Sequence, residues 1–360
     1  MDGLEEFGAA LEGVRVVGLG ESTHGTAEFF RLKHRLFEHL VTGHGFRTLA
    51  MEASASAGPA VDAYVRDGAG DAATALTGLG FWTWRTQEVL DLLEWMRSYN
   101  RGRPRPDRIG FAGIDPQRSG PSVAHFGPER AGVLSVLADA TPGRLPERRA
   151  ELLAAAEALE AGASDDADRW HARVLARAAD VATAGSGERL WRVRDGHMAD
   201  AVDEAVAAAG GAGVAVWAHN GHVGVRGAAL GARLRERYGP AYYALGLFFG
   251  EGAFRARRMW PGPWGPRLKR PSRVAVNRIG PAGPDTLEAL LATSSKPADA
   301  RLVDLRSRAH EEWTRRTYPT RTHGAYVARF VYRRNVTPVV PGEEYDGLAY
   351  VPVSTPSRPL

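Results

Sequence analysis

Four short apolar segments of this chain each stop abruptly at an ionisable residue, and this pattern constrains the fold more than any other feature. The segments cover residues 14–20, 47–51, 108–114 and 213–218. The residues that follow them are Glu21, Glu52, Asp115 and His219. Short apolar runs bounded by turn residues are typical of central strands that are buried on both faces. The pattern therefore predicts a sheet whose strand ends carry ionisable side chains.

Helical segments separate these strands. Residues 27–40, between the first two strands, have their apolar side chains at helical spacing. A strand, a helix and a second strand in this order form a unit whose strands run parallel. Two more helical segments, at residues 59–65 and 86–99, precede the third strand. The order of elements predicts an α/β fold with a central, largely parallel sheet and helices on both faces.

The segment from residue 128 to residue 210 is different, because it is rich in Ala, Glu and Arg and has long periodic runs. Such a composition favours helix. We therefore predict a first part of the α/β core at 1–127, a helical insertion at 128–210 that forms a lid or pocket wall, and a second part of the core at 211–360 with a basic C-terminal region. This last part is expected to contain one more helix after Gly224 and strands near residues 241–249, 301–305, 325–333 and 347–353.

Composition excludes several classes of function. The absence of cysteine excludes disulfides, thiol nucleophiles and zinc sites built on thiolates. The basic residues between Arg255 and Arg334 are scattered among Pro, Gly and short strand-like pieces and form no stripe, so we predict no nucleic-acid partner. No apolar run is long enough to cross a bilayer, and the acidic N-terminus lacks the pattern of a secretory signal. We therefore predict a cytoplasmic protein with no membrane contact.

The chemistry is expected at the carboxyl ends of the strands, where ligands bind in open α/β sheets. One carboxylate there would be weak evidence, since it can simply cap a helix. Four ionisable residues at one edge form a cluster, and carboxylates buried beside histidines acquire perturbed pKa values. The sequence therefore predicts an acid–base site at this edge of the sheet.

Two loops supply most of its candidate residues. The loop at residues 18–25 holds Glu21 and His24, and it matches neither a phosphate-binding loop nor a nucleophile elbow. The loop at residues 217–222 holds His219 and His222. The structural alternative is that a hydroxyl of Ser22 or Thr23 caps the next helix and that the histidines only satisfy backbone groups.

A metal site is a further alternative. Zinc or manganese would find His and carboxylate ligands among the candidate residues His24, His219, His222, Glu21 and Glu52. The chain has no His-Glu-x-x-His motif, however, so we predict that neither a metal nor a cofactor is required.

Six sequence blocks, in order, resemble the erythromycin esterase family. They are residues 20–30 (GESTHGTAEFF), 45–52 (GFRTLAME), 88–100 (EVLDLLEWMRSYN), 110–115 (GFAGID), 194–199 (RDGHMA) and 217–222 (WAHNGH). The resemblance covers about residues 14 to 250 and fades beyond Gly250, and the chain is shorter than typical members.

The resemblance implies an α/β fold with a helical subdomain and hydrolysis of a macrolide lactone without an obligatory metal. It implies that His24 is the general base and Glu52 the essential acidic residue. The paired histidines of the family fall on His219 and His222, with Glu21 in the same pocket.

A mechanism follows as a hypothesis in which His24 takes a proton from water, Glu52 orients the water or the imidazole, and His219 or His222 donates to the oxyanion. Glu21 is expected to fix the tautomer of a neighbouring histidine. Four residues are predicted to line or support the substrate pocket: Arg85, Trp82, Trp84 and Asp115. Arg194 and Asp195 are interpreted as an ion pair that ties the helical insertion to the core.

Family resemblance leaves the reaction open, because a shared site can host several chemistries. The partner is predicted to be a small molecule, specifically a large apolar ester or lactone. One alternative is a natural-product biosynthetic enzyme that uses the same pocket for cyclisation, elimination or acyl transfer. Another is a protein that binds its ligand without turnover, although such a protein has no need for this density of acid–base groups.

Overall fold

The structure is a computed structural model, and it describes residues 3–259, 273–293, 300–329 and 331–360. Parts of the predicted basic region and residue 330 of a predicted strand lie outside these ranges. The strands are β1 (Val16–Leu19), β2 (Phe46–Ser54), β3 (Gly110–Asp115), β4 (Gly213–Trp217), β5 (Tyr242–Met259), β6 (Val274–Ile279), β7 (Arg301–Asp304), β8 (Tyr318–Arg321), β9 (Tyr326–Ala328), β10 (Val336–Val339) and β11 (Gly347–Ser354).

Helices connect most of these strands. They are α1 (Leu4–Ala9), α2 (Ala27–Gly43), α3 (Gly58–Asp67), α4 (Ala72–Gly78), α5 (Gln87–Asn100), α6 (Gly120–Ala131), α7 (Arg149–Ala161), α8 (Asp166–Thr183), α9 (Glu188–Ala208), α10 (Asn220–Val223), α11 (Leu230–Tyr238), α12 (Leu287–Thr293) and α13 (Pro341–Glu344). Among the described helices, none combines the length and the apolar character needed to cross a membrane.

The central sheet has the order β3-β2-β4-β1-β5-β11-β7, with β6 and β9 also paired to β5. Every pair from β3 to β11 is parallel, whereas β7 and β6 are antiparallel to their neighbours. The predicted α/β fold with a mainly parallel sheet is confirmed. β1 and β2 run parallel, as expected, but β4 lies between them. The carboxyl ends of β1, β2, β3 and β4 therefore lie side by side.

The sheet is covered on both faces, because β1 and β4 are fully buried along their length. The apolar stripe of α2, which includes Phe29 and Phe37, packs in the core on one face. Met198 and Val202 of α9 pack in the core on the other face, together with Val216 of β4. α9 is thereby anchored on the sheet close to the strand ends.

The segment between β3 and β4 is helical, as the sequence predicts. Its helices α6, α7 and α8 share an apolar core of their own, centred on residues such as Phe126, Leu152 and Leu175. α9, the last helix of the segment, belongs instead to the core of the sheet.

The predictions are least accurate after β5. β6, β8 and β10 were not predicted, and β9 is only three residues long where a strand was expected at 325–333. Beyond β9 the Arg329 amide donates to the Met259 carbonyl, and a short 3-10 turn at Tyr332–Arg334 follows. These strands are short and only partly buried, so their sequences lack the apolar runs that marked the central strands.

Candidate active site

A cavity of about 580 Å³ opens at the carboxyl ends of the central strands. This is within the range of small-molecule sites. Residues 80–84 before α5, Arg194 of α9, and Thr322 with residues 324–326 of the C-terminal region form its walls. The strand ends and the loops after them contribute His24, Glu52, Asp115, His219 and His222.

His24 is directed into this cavity by the loop between β1 and α2. Thr23 Oγ1 accepts the Gly25 amide at 3.2 Å and lies 2.7 Å from the Thr26 hydroxyl, so it stabilises the loop itself. The expected hydroxyl cap is absent among the described contacts, because α2 begins after Thr26 without a side-chain cap. Gly25 is required here, since a Cβ atom would lie 2.0 Å from the Arg255 carbonyl oxygen.

The contact with Glu21 determines which nitrogen of His24 can act as a base. His24 Nδ1 lies 2.6 Å from Glu21 Oε1, and a carboxylate only accepts, so Nδ1 carries the proton. Nε2 of the neutral ring then holds the lone pair. No described residue forms a hydrogen bond with Nε2, and His24 lines the cavity.

Lys33 balances the buried charge of Glu21. Both side chains are fully buried, and Lys33 Nζ donates to Glu21 Oε2 at 2.7 Å. Burial lowers the pKa of Lys33 to about 8, although Glu21 opposes this shift. The sequence reasoning missed Lys33. Its signal was a lysine within the apolar stripe of α2, four residues after Phe29 and four before Phe37.

His219 has the opposite tautomer. The Gly221 amide donates to His219 Nδ1 at 3.1 Å, so this nitrogen is unprotonated and the proton of the neutral ring is on Nε2. Burial, assisted by the nearby His24, lowers the pKa of His219 well below its usual range. The Nε2 atom lies 3.4 Å from the Thr322 hydroxyl. The ring centroids of His24 and His219 are 5.0 Å apart, so the cavity presents a base and a donor next to each other.

Glu52 is the centre of a charged network. Arg194 Nη2 donates to Glu52 Oε1 at 2.7 Å, and the His219 amide donates to Oε2 at 2.9 Å. The same Nη2 donates to Asp115 Oδ2 at 2.7 Å. Burial by itself would raise the pKa of Glu52, but His222 and Arg194 together outweigh it and hold this pKa well below its usual range.

His222 lies behind this network and has two possible partners at Nε2. Its Nδ1 is 2.9 Å from Asp195 Oδ2. Nε2 is 3.0 Å from Arg194 Nη1, which requires a neutral ring, and 3.3 Å from Glu52 Oε1, which favours a protonated one. Burial opposes the charge, but Glu52 and Asp195 outweigh it and raise the pKa of His222 to about 9. Protonation therefore exchanges the Arg194 contact for one with Glu52.

This raised pKa predicts how stability depends on pH. Because the folded protein binds the His222 proton more tightly than the unfolded chain, the stabilisation is complete below pH 6.5 and disappears as the pH rises through about 9. Urea unfolding at pH 6.5 and pH 8 is expected to reveal a loss of about 1–2 kcal/mol in the wild type that His222→Gln lacks. If the free energy of unfolding changes equally between the two pH values in both proteins, the His222 ring stays neutral and bonded to Arg194.

The structure brings together most of the residues that the sequence singled out. His24, Glu52, Asp115, His219 and His222 line one cavity with Trp82 and Trp84, and Glu21 lies directly behind His24. The Trp84 indole donates to the Glu52 carbonyl at 3.0 Å and supports the end of β2.

Arg85 lies apart from this group. Its side chain is exposed and not part of the cavity wall, and its carbonyl accepts the amide of Leu360. Trp84 is turned into the protein, and Arg85, the next residue along the chain, consequently faces outward.

Arg194 is the second functional residue that sequence reasoning missed. It was interpreted as a partner of Asp195, but the two side chains have separate partners. Arg194 bonds Glu52 and Asp115, and Asp195 bonds His222 and the Leu230 amide. The available signal was its position in a sequence block that resembles the family.

The nitrogen and oxygen atoms of the site that could coordinate a metal ion are largely occupied by hydrogen bonds within the protein. Glu52 accepts bonds at both oxygens, and Nδ1 of His24 and of His219 each has a partner. Within the described ranges, no group of three metal-binding side chains is arranged to hold an ion.

Comparison with known families matches residues 41–158 and 123–354 to the family described as erythromycin esterase. These stretches include Glu52, Asp115, Arg194, His219 and His222. Among curated proteins, erythromycin esterase type II from Escherichia coli is 32% identical over 108 residues. The match covers 30% of this chain and only 25% of that relative.

Solved structures share the fold over nearly the whole chain. A succinoglycan biosynthesis protein superposes with a TM-score of 0.81 at 21% identity, over 99% of this chain and 92% of that one. A mutant of the erythromycin esterase EreC in its open conformation has a TM-score of 0.71 at 19% identity, over 98% of this chain and 94% of that one. At such identities the likeness extends to the fold alone.

Proposed function

This chain belongs to the erythromycin esterase family, and we propose that it is an ester hydrolase that acts on a macrolide lactone or a related natural-product ester with a water molecule activated by His24. The proposal is supported by the family and by the cavity of about 580 Å³, which accommodates a sizeable part of such a ligand.

The observation that carries the proposal is the opposite tautomers of His24 and His219. Nε2 of His24 is an acceptor because Glu21 occupies Nδ1, and Nε2 of His219 is a donor because the Gly221 amide occupies its Nδ1. Ester hydrolysis by activated water needs a base for the water and a donor for the carbonyl oxygen. The two rings, 5.0 Å apart, supply both groups at one edge of the cavity.

The proposed reaction proceeds in two steps. His24 Nε2 takes a proton from water while the water oxygen forms a bond to the ester carbonyl carbon, and the Nε2–H of His219 donates to the resulting oxyanion. The carbon–oxygen bond of the ester then breaks, and the protonated His24 returns its proton to the leaving alcohol oxygen. One water is consumed, and one carboxylic acid and one alcohol are formed.

Glu52 and Arg194 are proposed to hold the donor in position. Glu52 accepts the backbone amide of His219, so it fixes the start of the loop that carries this ring. Arg194 keeps Glu52 ionised and joins it to Asp115, which ties the ends of β2 and β3 together. The ionised Glu52 also stabilises the positive charge that His24 acquires when it takes the proton.

The reaction is proposed to need no metal, because the protein supplies the base and the oxyanion donor itself. This part is tested by metal analysis of the purified protein and by assays before and after dialysis against EDTA. We expect equal rates. A rate that falls with chelation and returns on addition of zinc or manganese would contradict it.

The function itself is tested by incubating the protein with a macrolide and a panel of simple esters in water enriched in ¹⁸O. Mass spectrometry is expected to detect a product heavier by one water, with the label in its new carboxylate. A product formed without gain of water would indicate cyclisation, elimination or transfer instead. If the protein binds one of these compounds but forms no product from any of them, hydrolysis is overturned in favour of a protein that only binds its ligand.

A further inference from the structure

Two arginines in the cavity wall are not used by the network around Glu52. Besides His222, whose pKa is raised to about 9, the charged side chains that line the cavity are Glu52, Asp115, Arg118, Arg194 and Arg257. Both carboxylates bond Arg194. Neither bonds Arg118 or Arg257 among the described contacts, so these two positive charges are left facing the cavity.

Arg257, on β5, has the less satisfied side chain of the two. Its backbone amide donates to the Ala325 carbonyl at 2.9 Å, which fixes its position in the wall. Its Nε is buried without a hydrogen-bond partner, and no carboxylate of the described residues lies within 4.0 Å of the guanidinium. A buried donor without a protein partner is costly, and a bound water or ligand can supply the missing acceptor.

Arg118 is held in an unfavourable backbone conformation. Its φ is 61°, which makes it the one non-glycine residue with positive φ in the described part of the chain. The Ser54 hydroxyl donates to the Arg118 carbonyl at 2.9 Å and helps to maintain this conformation. Backbone outliers of this kind cluster at active sites and ligand clamps.

The charge of Arg118 is only weakly compensated. Its guanidinium is 3.5 Å from Asp139, whose side chain is 91% exposed. Solvent screens such a pair strongly. The guanidinium also lies 5.9 Å from the centre of the Phe81 ring, in the same wall of the cavity.

We propose that the substrate carries an anionic group, a carboxylate or a phosphate, that Arg257 and Arg118 bind while His24 and His219 act on the ester. This inference rests on the proposed function and deepens it by defining the substrate class. Guanidinium groups bind such oxyanions through charge-assisted, often bidentate, hydrogen bonds. The apolar part of the ligand would lie against Trp82 and the exposed aromatic side chains of Trp191 and Tyr326, which complete the cavity wall.

The test is a binding comparison with probes that contain no ester. N-benzylsuccinamic acid and N-benzylsuccinamide have nearly the same shape and differ in one charge, and a phosphonate analogue of the acid serves as the phosphate arm. Calorimetry on the full chain is expected to give at least about tenfold tighter binding of one or both anions than of the amide, decreasing with salt. Arg257→Gln should weaken anion binding about tenfold, a change of about 1.4 kcal/mol.

The double variant Arg118→Gln/Arg257→Gln is expected to bind the acid and the amide equally. Arg169→Gln, which removes an exposed arginine paired with the exposed Asp166 on α8, is the matched control and should change nothing. Anions that bind the wild type no better than the amide, or an anion preference that survives in the double variant, would overturn the inference. If neutral esters are hydrolysed but anions are not preferred, the proposed function stands and the inference fails. If anions bind but no ester is hydrolysed, the inference on anion binding stands and the proposed function fails.

Discussion

Replacement of His24 by asparagine is expected to lower kcat/KM for the best ester about a thousandfold, since a positioned general base contributes roughly 10²–10⁴-fold. The asparagine amide can still donate to Glu21 near the position of Nδ1, so the Glu21–Lys33 pair keeps its partner. The lone pair of Nε2 is lost. The decrease should therefore be in kcat, with KM nearly unchanged, because the cavity that binds the substrate is otherwise intact.

Two further proteins make this result specific. His24→Ala leaves space beside Glu21, and added imidazole is expected to restore part of its activity by taking the place of the missing ring. His310→Asn, at an exposed histidine far along the chain, is the control for the substitution itself and should retain full activity. A His24→Asn protein that keeps more than about a tenth of the wild-type kcat/KM would contradict the role of His24 as the base.

The central sheet was predictable because each of its inner strands is buried on both faces. Burial forces residues such as Val16, Val17 and Val216 to be apolar, and the run stops where the strand leaves the core. The order of the strands was not predictable in the same way. β4 inserts between β1 and β2 through backbone pairing with segments about 200 and 170 positions away, and such pairing has no local signal.

The candidate site was predictable to the extent that it follows from the strand ends. Glu21, Glu52, Asp115 and His219 lie together because parallel strands end at one edge of the sheet. Arg194 comes from a helix and is separated from Glu52 by 142 positions in sequence, so no spacing rule connects them. Family resemblance selected its sequence block, but only the packing of α9 on the sheet places its guanidinium between Glu52 and Asp115.

The arginines of the cavity illustrate the same limit. Arg85 was chosen because it adjoins two tryptophans in sequence, but proximity along the chain does not determine the direction of a side chain. Arg118 lines the cavity from the loop after β3, and Arg257 lines it from β5. Their positions in the cavity wall depend on how the loop after β3 and the C-terminal region pack in the folded chain. The sequence predicted the C-terminal region only as basic.

Replacement of Lys33 by methionine is expected to destabilise the fold by about 3–5 kcal/mol, the usual cost of leaving one member of a buried ion pair alone. Methionine has nearly the same length and fills the same space, so the change isolates the charge. Glu21 Oε2 would lose the donor at 2.7 Å in a fully buried environment. Urea unfolding at pH 7 measures the difference, because Lys33, with its pKa lowered to about 8, is still mostly charged there.

Two matched variants separate charge from packing. Arg192→Met breaks an exposed pair with Glu188 and should cost less than about 1 kcal/mol. Glu21→Gln combined with Lys33→Met removes both buried charges and should recover most of the lost stability. A double variant as unstable as Lys33→Met alone would mean that the methionine itself does not fit.

The same substitution is expected to change catalysis through His24, which identifies Lys33 as a positioning residue. Without the lysine, the unbalanced carboxylate of Glu21, 2.6 Å from Nδ1, favours a second proton on the imidazole. Nε2 then becomes free to act as a base only at higher pH, so the acid limb of the pH profile of kcat/KM moves to higher pH. Activity at pH 7 falls, whereas activity at high pH is largely kept. A uniform loss of rate at every pH, with the limb unmoved, would assign Lys33 to the stability of the fold alone.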